Sequence, residues 1–73
     1  MDKPHWVPDG ALQIPSGWIM LERERDHVLA FNPLGAMSRY ATWRIGQDGI
    51  LCAGEYYAYA RHAVKSYETR AGL

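Results

Sequence analysis

The sequence predicts a small α+β domain, in which an antiparallel β-meander of three to four strands is followed by one C-terminal α-helix on one face. Three observations predict this fold. Prolines and glycines are frequent in residues 1–17, short apolar runs separated by turn residues fill 18–55, and the last segment has helical periodicity. At 73 residues and 8.3 kDa, the chain has room for one small core. We therefore expect an extended strap over 1–17 and a single domain over 18–73.

The strap is predicted from its prolines. Pro4, Pro8 and Pro15 each restrict the preceding residue to extended conformations, which excludes a regular helix. Several apolar side chains nevertheless make the segment too hydrophobic for a free linker. These are Trp6, Val7, Leu12 and Ile14. We expect the strap to lie on the domain.

Four strands follow, each bounded by turn residues. Residues 18–24 and 27–31 are separated by the polar pair Arg25-Asp26, and Asn32-Pro-Leu-Gly35 is a turn sequence after the second strand. Residues 39–45 are rich in aromatic and β-branched types, which favour strands. Asp48-Gly49 then supplies a hairpin turn before a fourth strand over about 50–55.

The C-terminal segment predicts a helix over about residues 57–71. Small, aromatic and β-branched side chains recur there on one helical stripe: Tyr56, Ala60, Ala63, Val64, Tyr67 and Ala71. Arg70 and Gly72 suit the end of a helix.

One helix leaves an apolar sheet face without cover. Alternation along the strands places large apolar groups on both faces, with Trp18 and Met20 opposite Ile19 and Leu21. The second face therefore requires the strap, a second copy of the chain or a partner protein.

Composition excludes several classes of protein. Eight basic and eight acidic residues give no net charge, so the broad positive surface of a duplex-DNA or membrane-surface binder is missing. The single cysteine excludes an internal disulfide, and no apolar run approaches the roughly 20 residues of a membrane span. No signal peptide is apparent at the N-terminus, so we expect a cytoplasmic protein. We also expect that it needs no cofactor.

Chemistry-bearing residues are scattered. His5, His27, His62 and Cys52 lack the spacing of a metal site, so no metal is expected. Cys52 and His62 lie on either side of the predicted strand-to-helix connection, and a Cys–His enzyme is the third functional hypothesis. The flanking Leu51 and Ala53 favour a buried, unreactive thiol instead.

The leading hypothesis is a non-catalytic protein-binding module that also self-associates. Three Trp, five Tyr, three Met and six Arg against two Lys match the residue types that protein interfaces favour. The predicted patch combines such side chains on the sheet face away from the helix: Trp18, Met20, Tyr40 and Arg44. Three further residues of these types extend it: Arg39, Tyr57 and Tyr59.

The second hypothesis is a single-stranded nucleic-acid-binding protein. Arginines and tyrosines on a sheet can stack with unpaired bases, and Arg39, Tyr40 and Arg44 share one predicted strand. The zero net charge makes this less favoured than a protein partner.

The overall plan is loosely similar to small accessory proteins of phages and other bacterial mobile elements. This resemblance rests on a lone β-meander with a helix and on no diagnostic motif. It implies that the protein binds and occludes a larger host protein, such as a component of a defence system.

Overall fold

The computed structural model describes residues 7–46 and 48–73, and it confirms the predicted fold class. Within these ranges, β1 (Ile19–Glu24), β2 (His27–Phe31), β3 (Tyr40–Ile45) and β4 (Leu51–Tyr57) form one antiparallel sheet in that order. α1 (Ala60–Ala71) follows β4, and a single 3-10 turn at Asp9–Ala11 lies in the strap. Trp6, which was expected to anchor the strap, lies outside the described residues.

The predicted turns account for the meander. Arg25 adopts φ 54° between β1 and β2, and Gly49 adopts φ 86° before β4. Between β2 and β3, the amide of Gly35 donates to the carbonyl oxygen of Asn32 at 3.0 Å. The connections span two, eight and five residues, and each joins strands that pair with each other.

Both edge strands carry a β-bulge. In β1 the register passes from Met20 opposite Ala30 to Glu22 opposite Leu29, so Leu21 is an extra residue. In β4, Ala53 and Gly54 together oppose Trp43, and Ala53 has φ 53°. Bulges at sheet edges interrupt the row of free backbone groups to which another strand could add.

The strap covers one face of the sheet. Val7 is buried in a cluster formed by Val28, Ala30, Ala41, Trp43 and Ile45. Leu12, Trp18, Met20 and Leu51 are partly buried against the same cluster. Polar contacts attach the described part of the strap: the Gln13 amide donates to Gly49 O at 3.0 Å, and Asp9 forms an ion pair with Arg23 at 2.7 Å. Of the three covers left open by the sequence, the strap is the one observed.

The helix covers the other face, over β2, β3 and β4. Ala63 and Tyr67 bury Leu29, and Tyr40 and Tyr57 pack at the margin of this second cluster. α1 begins at Ala60 rather than at residue 57, because the preceding tyrosines continue β4: Tyr56 pairs with Ala41, and Tyr57 with Tyr40. No helix in the described ranges is both long and apolar enough to cross a membrane.

Candidate functional site

The structure does not bring the predicted patch together on one face. Trp18 and Met20 pack on the strap-covered face, where the Trp18 ring centroid lies 5.1 Å from that of Trp43. Tyr40 packs against the helix-side cluster instead. Arg44 directly follows Trp43 in β3, so strand alternation places it on the same face as Tyr40, where it is exposed. Strand alternation therefore splits the four residues, two to each face.

The three additional predicted residues fall into two groups. Tyr57 is half-buried, and its hydroxyl donates to Glu55 Oε1 at 2.7 Å. Arg39 and Tyr59 are exposed, and both lie at the end of the sheet where β2 leads into β3 and β4 leads into α1.

This end of the sheet also carries the most exposed large apolar side chains of the described residues. Leu34 is 88% exposed and Met37 is 82% exposed, both in the loop between β2 and β3. Ile19 at the start of β1 and Tyr59 before α1 are more than half exposed. We define the loop-end surface as these four side chains and two arginines of the same end: Ile19, Leu34, Met37, Arg39, Tyr59 and Arg61.

The loop that presents Leu34 and Met37 is held by its own hydrogen bonds. The Asn32 amide donates to Arg39 O at 2.7 Å, and Asn32 Oδ1 accepts from the Leu34 amide at 3.0 Å. The Arg39 Nε donates to Gly35 O at 2.8 Å. A Cβ at Gly35 would lie 3.2 Å from the carbonyl oxygens of both Asn32 and Ser38, so the turn closes tightly around a glycine. These hydrogen bonds therefore order the turn around Leu34 and the two ends of the loop without a partner.

The loop-end surface is positively charged. The segments that form this end, residues 17–21, 31–40 and 56–62, contain no Asp or Glu. The Arg61 guanidinium lies 4.9 Å from the centroid of the Tyr59 ring, which is within the range of a cation–π interaction. In the described part of the chain, neither Arg39 nor Arg61 forms an ion pair.

A second polar region lies in a groove of about 410 Å³ between α1 and β4. Glu55 Oε1 accepts hydrogen bonds from the hydroxyls of Tyr57 and Ser66, the latter at 3.1 Å, and Arg70 Nη1 lies 3.8 Å away. These hydrogen bonds, with a smaller contribution from Arg70, hold the pKa of the Glu55 carboxyl below its ordinary value despite partial desolvation. Since its partners come from β4 and α1, Glu55 fastens the helix to the edge strand.

Cys52 and His62, the candidate residues for catalysis and metal binding, contact different parts of the structure. Cys52 Sγ lies 3.4 Å from Arg44 O, whereas the His62 ring lies against the Tyr59 ring with centroids 5.7 Å apart. Across residues 7–46 and 48–73, no three His, Cys, Asp or Glu side chains gather as metal ligands would. The Cys–His enzyme stays an untested hypothesis.

Strand and helix periodicity does not select Leu34 and Met37, because neither residue belongs to a strand or a helix. They stand in a segment read only as a turn, Asn32 to Gly35, and in the residues after it. The sequence feature that indicates them is the presence of two large apolar side chains in a loop between strands. Such residues have no place in either face of the sheet.

Comparison with known proteins supplies no relative from which a function could be transferred to these residues. No protein-family model, no curated protein and no solved structure matches the chain.

Proposed function

We propose that the protein is a non-catalytic binding module that docks on a larger protein through the loop-end surface. The mode of action is occlusion: the module covers a surface that its partner uses. This agrees with the resemblance to accessory proteins of phages and other mobile elements.

The observation that carries the proposal is the exposure of Leu34 and Met37 on an ordered loop. Side chains that are 88% and 82% exposed contribute almost no burial to the domain itself. The hydrogen bonds of Asn32, Leu34, Gly35 and Arg39 already hold the turn around Leu34 and the two ends of the loop, which reduces the conformational entropy lost when a partner binds. An ordered loop with projecting apolar side chains is suited to insertion into a pocket.

The edges of the sheet support docking at the loop end over strand addition. β1 has a bulge at Leu21 followed by the charged sequence Glu-Arg-Glu, and β4 has a bulge at Ala53 and Gly54. Bulges and charged side chains are the usual protection against edge-to-edge pairing. The strap and the helix pack on the two sheet faces, and the two most exposed large apolar side chains of the described residues, Leu34 and Met37, lie at the loop end.

The experiment compares the affinity of a purified partner for three forms of the protein. The partner is first isolated from the native host on the immobilised full-length chain, then titrated by calorimetry. Leu34→Ser/Met37→Ser removes the projecting groups, while Leu73→Ser changes an exposed leucine at the C-terminus and serves as the matched control. We expect the double variant to bind at least tenfold more weakly, and the control to bind within twofold of the wild type.

Two results would contradict the proposal. One is equal affinity of the double variant and the wild type. The other is the absence of any protein partner together with binding to labelled single-stranded oligonucleotides, with an affinity that falls steeply as salt increases. That outcome would support the nucleic-acid hypothesis.

A further inference from the structure

The charges of the loop-end surface indicate what kind of partner it fits. Resting on the proposed function, we infer that the partner is a different protein with an apolar pocket rimmed by carboxylates. Leu34 and Met37 enter the pocket, and Arg39 and Arg61 pair with its rim.

Two arginines of the loop-end surface, Arg39 and Arg61, hold positive charge in fixed positions. The Nε of Arg39 is held by Gly35 O at 2.8 Å, and the Arg61 guanidinium lies over the Tyr59 ring. Both arginines are thus placed by contacts that leave their charge uncompensated by any carboxylate of the described residues. Arginines positioned beside an apolar contact favour carboxylates on the partner and disfavour basic surfaces.

Three carboxylates lie at the end of the sheet opposite to the loop-end surface. Glu24 and Asp26 lie at the β1–β2 hairpin, and Asp48 lies at the β3–β4 turn. Both turns are at the end of the sheet opposite to the loop between β2 and β3, because the strands alternate in direction. These three carboxylates are therefore separated from the loop-end surface by the length of the sheet.

This distribution also argues against a second copy of the chain as the occupant. A two-fold contact would place Arg39 and Arg61 against the same arginines of the other copy. A head-to-tail contact would place Leu34 and Met37 at the groove of about 520 Å³ beside the β1–β2 hairpin. The two carboxylates of that groove, Asp9 and Glu24, are matched by Arg23 and Arg25, and Asp9 is already ion-paired, so its rim offers Arg39 and Arg61 no excess of negative charge. Two side chains also provide far less than the roughly 800 Å² that each side of a stable interface buries, so a concave partner that reaches Ile19 and Tyr59 fits better than a flat one.

The test begins with a diazirine analogue of leucine incorporated at position 34 of the full-length chain. Irradiation in the native host, followed by mass spectrometry of the cross-linked peptides, identifies the surface that Leu34 contacts. We expect a peptide of another protein that contains or directly neighbours several Asp or Glu residues. Cross-links confined to a second copy of the chain, or to a peptide surrounded by Lys and Arg, would overturn the inference.

Charge reversal then tests the rim. The cross-linked protein is purified and titrated with Arg39→Glu, Arg61→Glu and, as a matched control on α1, Lys65→Glu. We expect each arginine variant to bind at least tenfold more weakly at low salt, with a smaller difference at high salt, and the lysine variant to bind within twofold of the wild type. Replacement of the facing carboxylate of the partner by Lys should restore binding of the matching arginine variant.

The outcomes separate the two proposals. If Leu34→Ser/Met37→Ser abolishes binding while both arginine variants bind normally, the proposed function stands and the acidic rim is wrong. If the double variant binds normally, both are wrong.

Discussion

The Arg70 Nη1 donates to the hydroxyl oxygen of Thr42 at 2.7 Å and so joins the last turn of α1 to the centre of the sheet. The same nitrogen lies 3.3 Å from Thr42 O, and Nη2 donates to Ala53 O at 2.6 Å. Thr42 is only 2% exposed, and Ala53 belongs to the bulge of β4. One guanidinium therefore binds polar atoms of two strands, among them the buried hydroxyl of Thr42.

Replacement of Arg70 by Met should destabilise the protein by about 2–3 kcal/mol. Met keeps most of the apolar stem but leaves the Thr42 hydroxyl and the Ala53 carbonyl without their charged donor. Lys65→Met is the matched control, because it removes an exposed positive charge from the same helix and should change the unfolding free energy by less than about 0.5 kcal/mol. Urea unfolding followed by tryptophan fluorescence measures both. Equal stability of the two variants would show that the contacts of Arg70 do not hold the helix.

Gly54→Ala should also destabilise the domain, by about 1–3 kcal/mol. A Cβ at this position would lie 2.6 Å from Trp43 Nε1 and 2.9 Å from its Cδ1. Trp43 is buried and is held by Trp18 and Tyr56, with ring centroids at 5.1 and 6.0 Å, so its ring has little room to move away.

Gly10→Ala is the matched control for Gly54→Ala, since nothing lies within 4 Å of a Cβ there. Its unfolding free energy should stay within about 0.5 kcal/mol of the wild type. A Gly54→Ala variant that unfolds at the same urea concentration as Gly10→Ala, with unchanged tryptophan emission, would contradict the close contact.

The fold class followed from the sequence because its signals are local. The turn at Asn32 and the positive-φ glycine at Gly49 both stand where predicted, and each needs only the backbone preferences of a few neighbouring residues. The start of α1 was less predictable. Tyr56 fits the helical stripe as well as it fits β4, and only its pairing with Ala41 decides between them.

The candidate site was predictable only in part. Arg39 and Tyr59 were selected for their residue types, and both are exposed at the loop end. The prediction of a single patch was wrong, because Tyr40 and Trp18 lie on opposite faces of the sheet. The face on which each residue lies depends on the register between β1, β2 and β3. Since register is a relation between distant segments, periodicity within one strand does not determine it.

The exposure of Leu34 predicts that it contributes nothing measurable to folding. Leu34→Ala should leave the unfolding free energy within about 0.5 kcal/mol of the wild type. The same substitution at Leu29, which is 5% exposed between Ala63 and Tyr67, should destabilise by about 2–5 kcal/mol. Thermal unfolding of both variants makes the comparison. A large loss of stability in Leu34→Ala would mean that the loop packs on the domain, and the binding role proposed for it would be lost.

We expect Glu55 to contribute to the acid sensitivity of the fold. The hydrogen bonds from Tyr57 and Ser66, assisted by Arg70, lower the pKa of this carboxyl in the folded protein below the ordinary value of 4.5 that applies when it is unfolded. The folded state therefore binds this proton more weakly than the unfolded state does. The stabilisation is fully present above about pH 4.5 and is lost as the pH falls through the lower pKa of the folded protein.

Glu55→Gln isolates this contribution, because glutamine keeps an oxygen that accepts hydrogen bonds but does not titrate. The difference in unfolding free energy between the wild type and Glu55→Gln should be larger at pH 6 than at pH 3, as measured by urea unfolding across that range. Glu68→Gln removes an exposed carboxylate from α1 and is the control for the general loss of one negative charge. If the Glu55→Gln difference does not change with pH, or if Glu68→Gln reproduces it, then the attachment of α1 to β4 does not depend on the ionised form of Glu55.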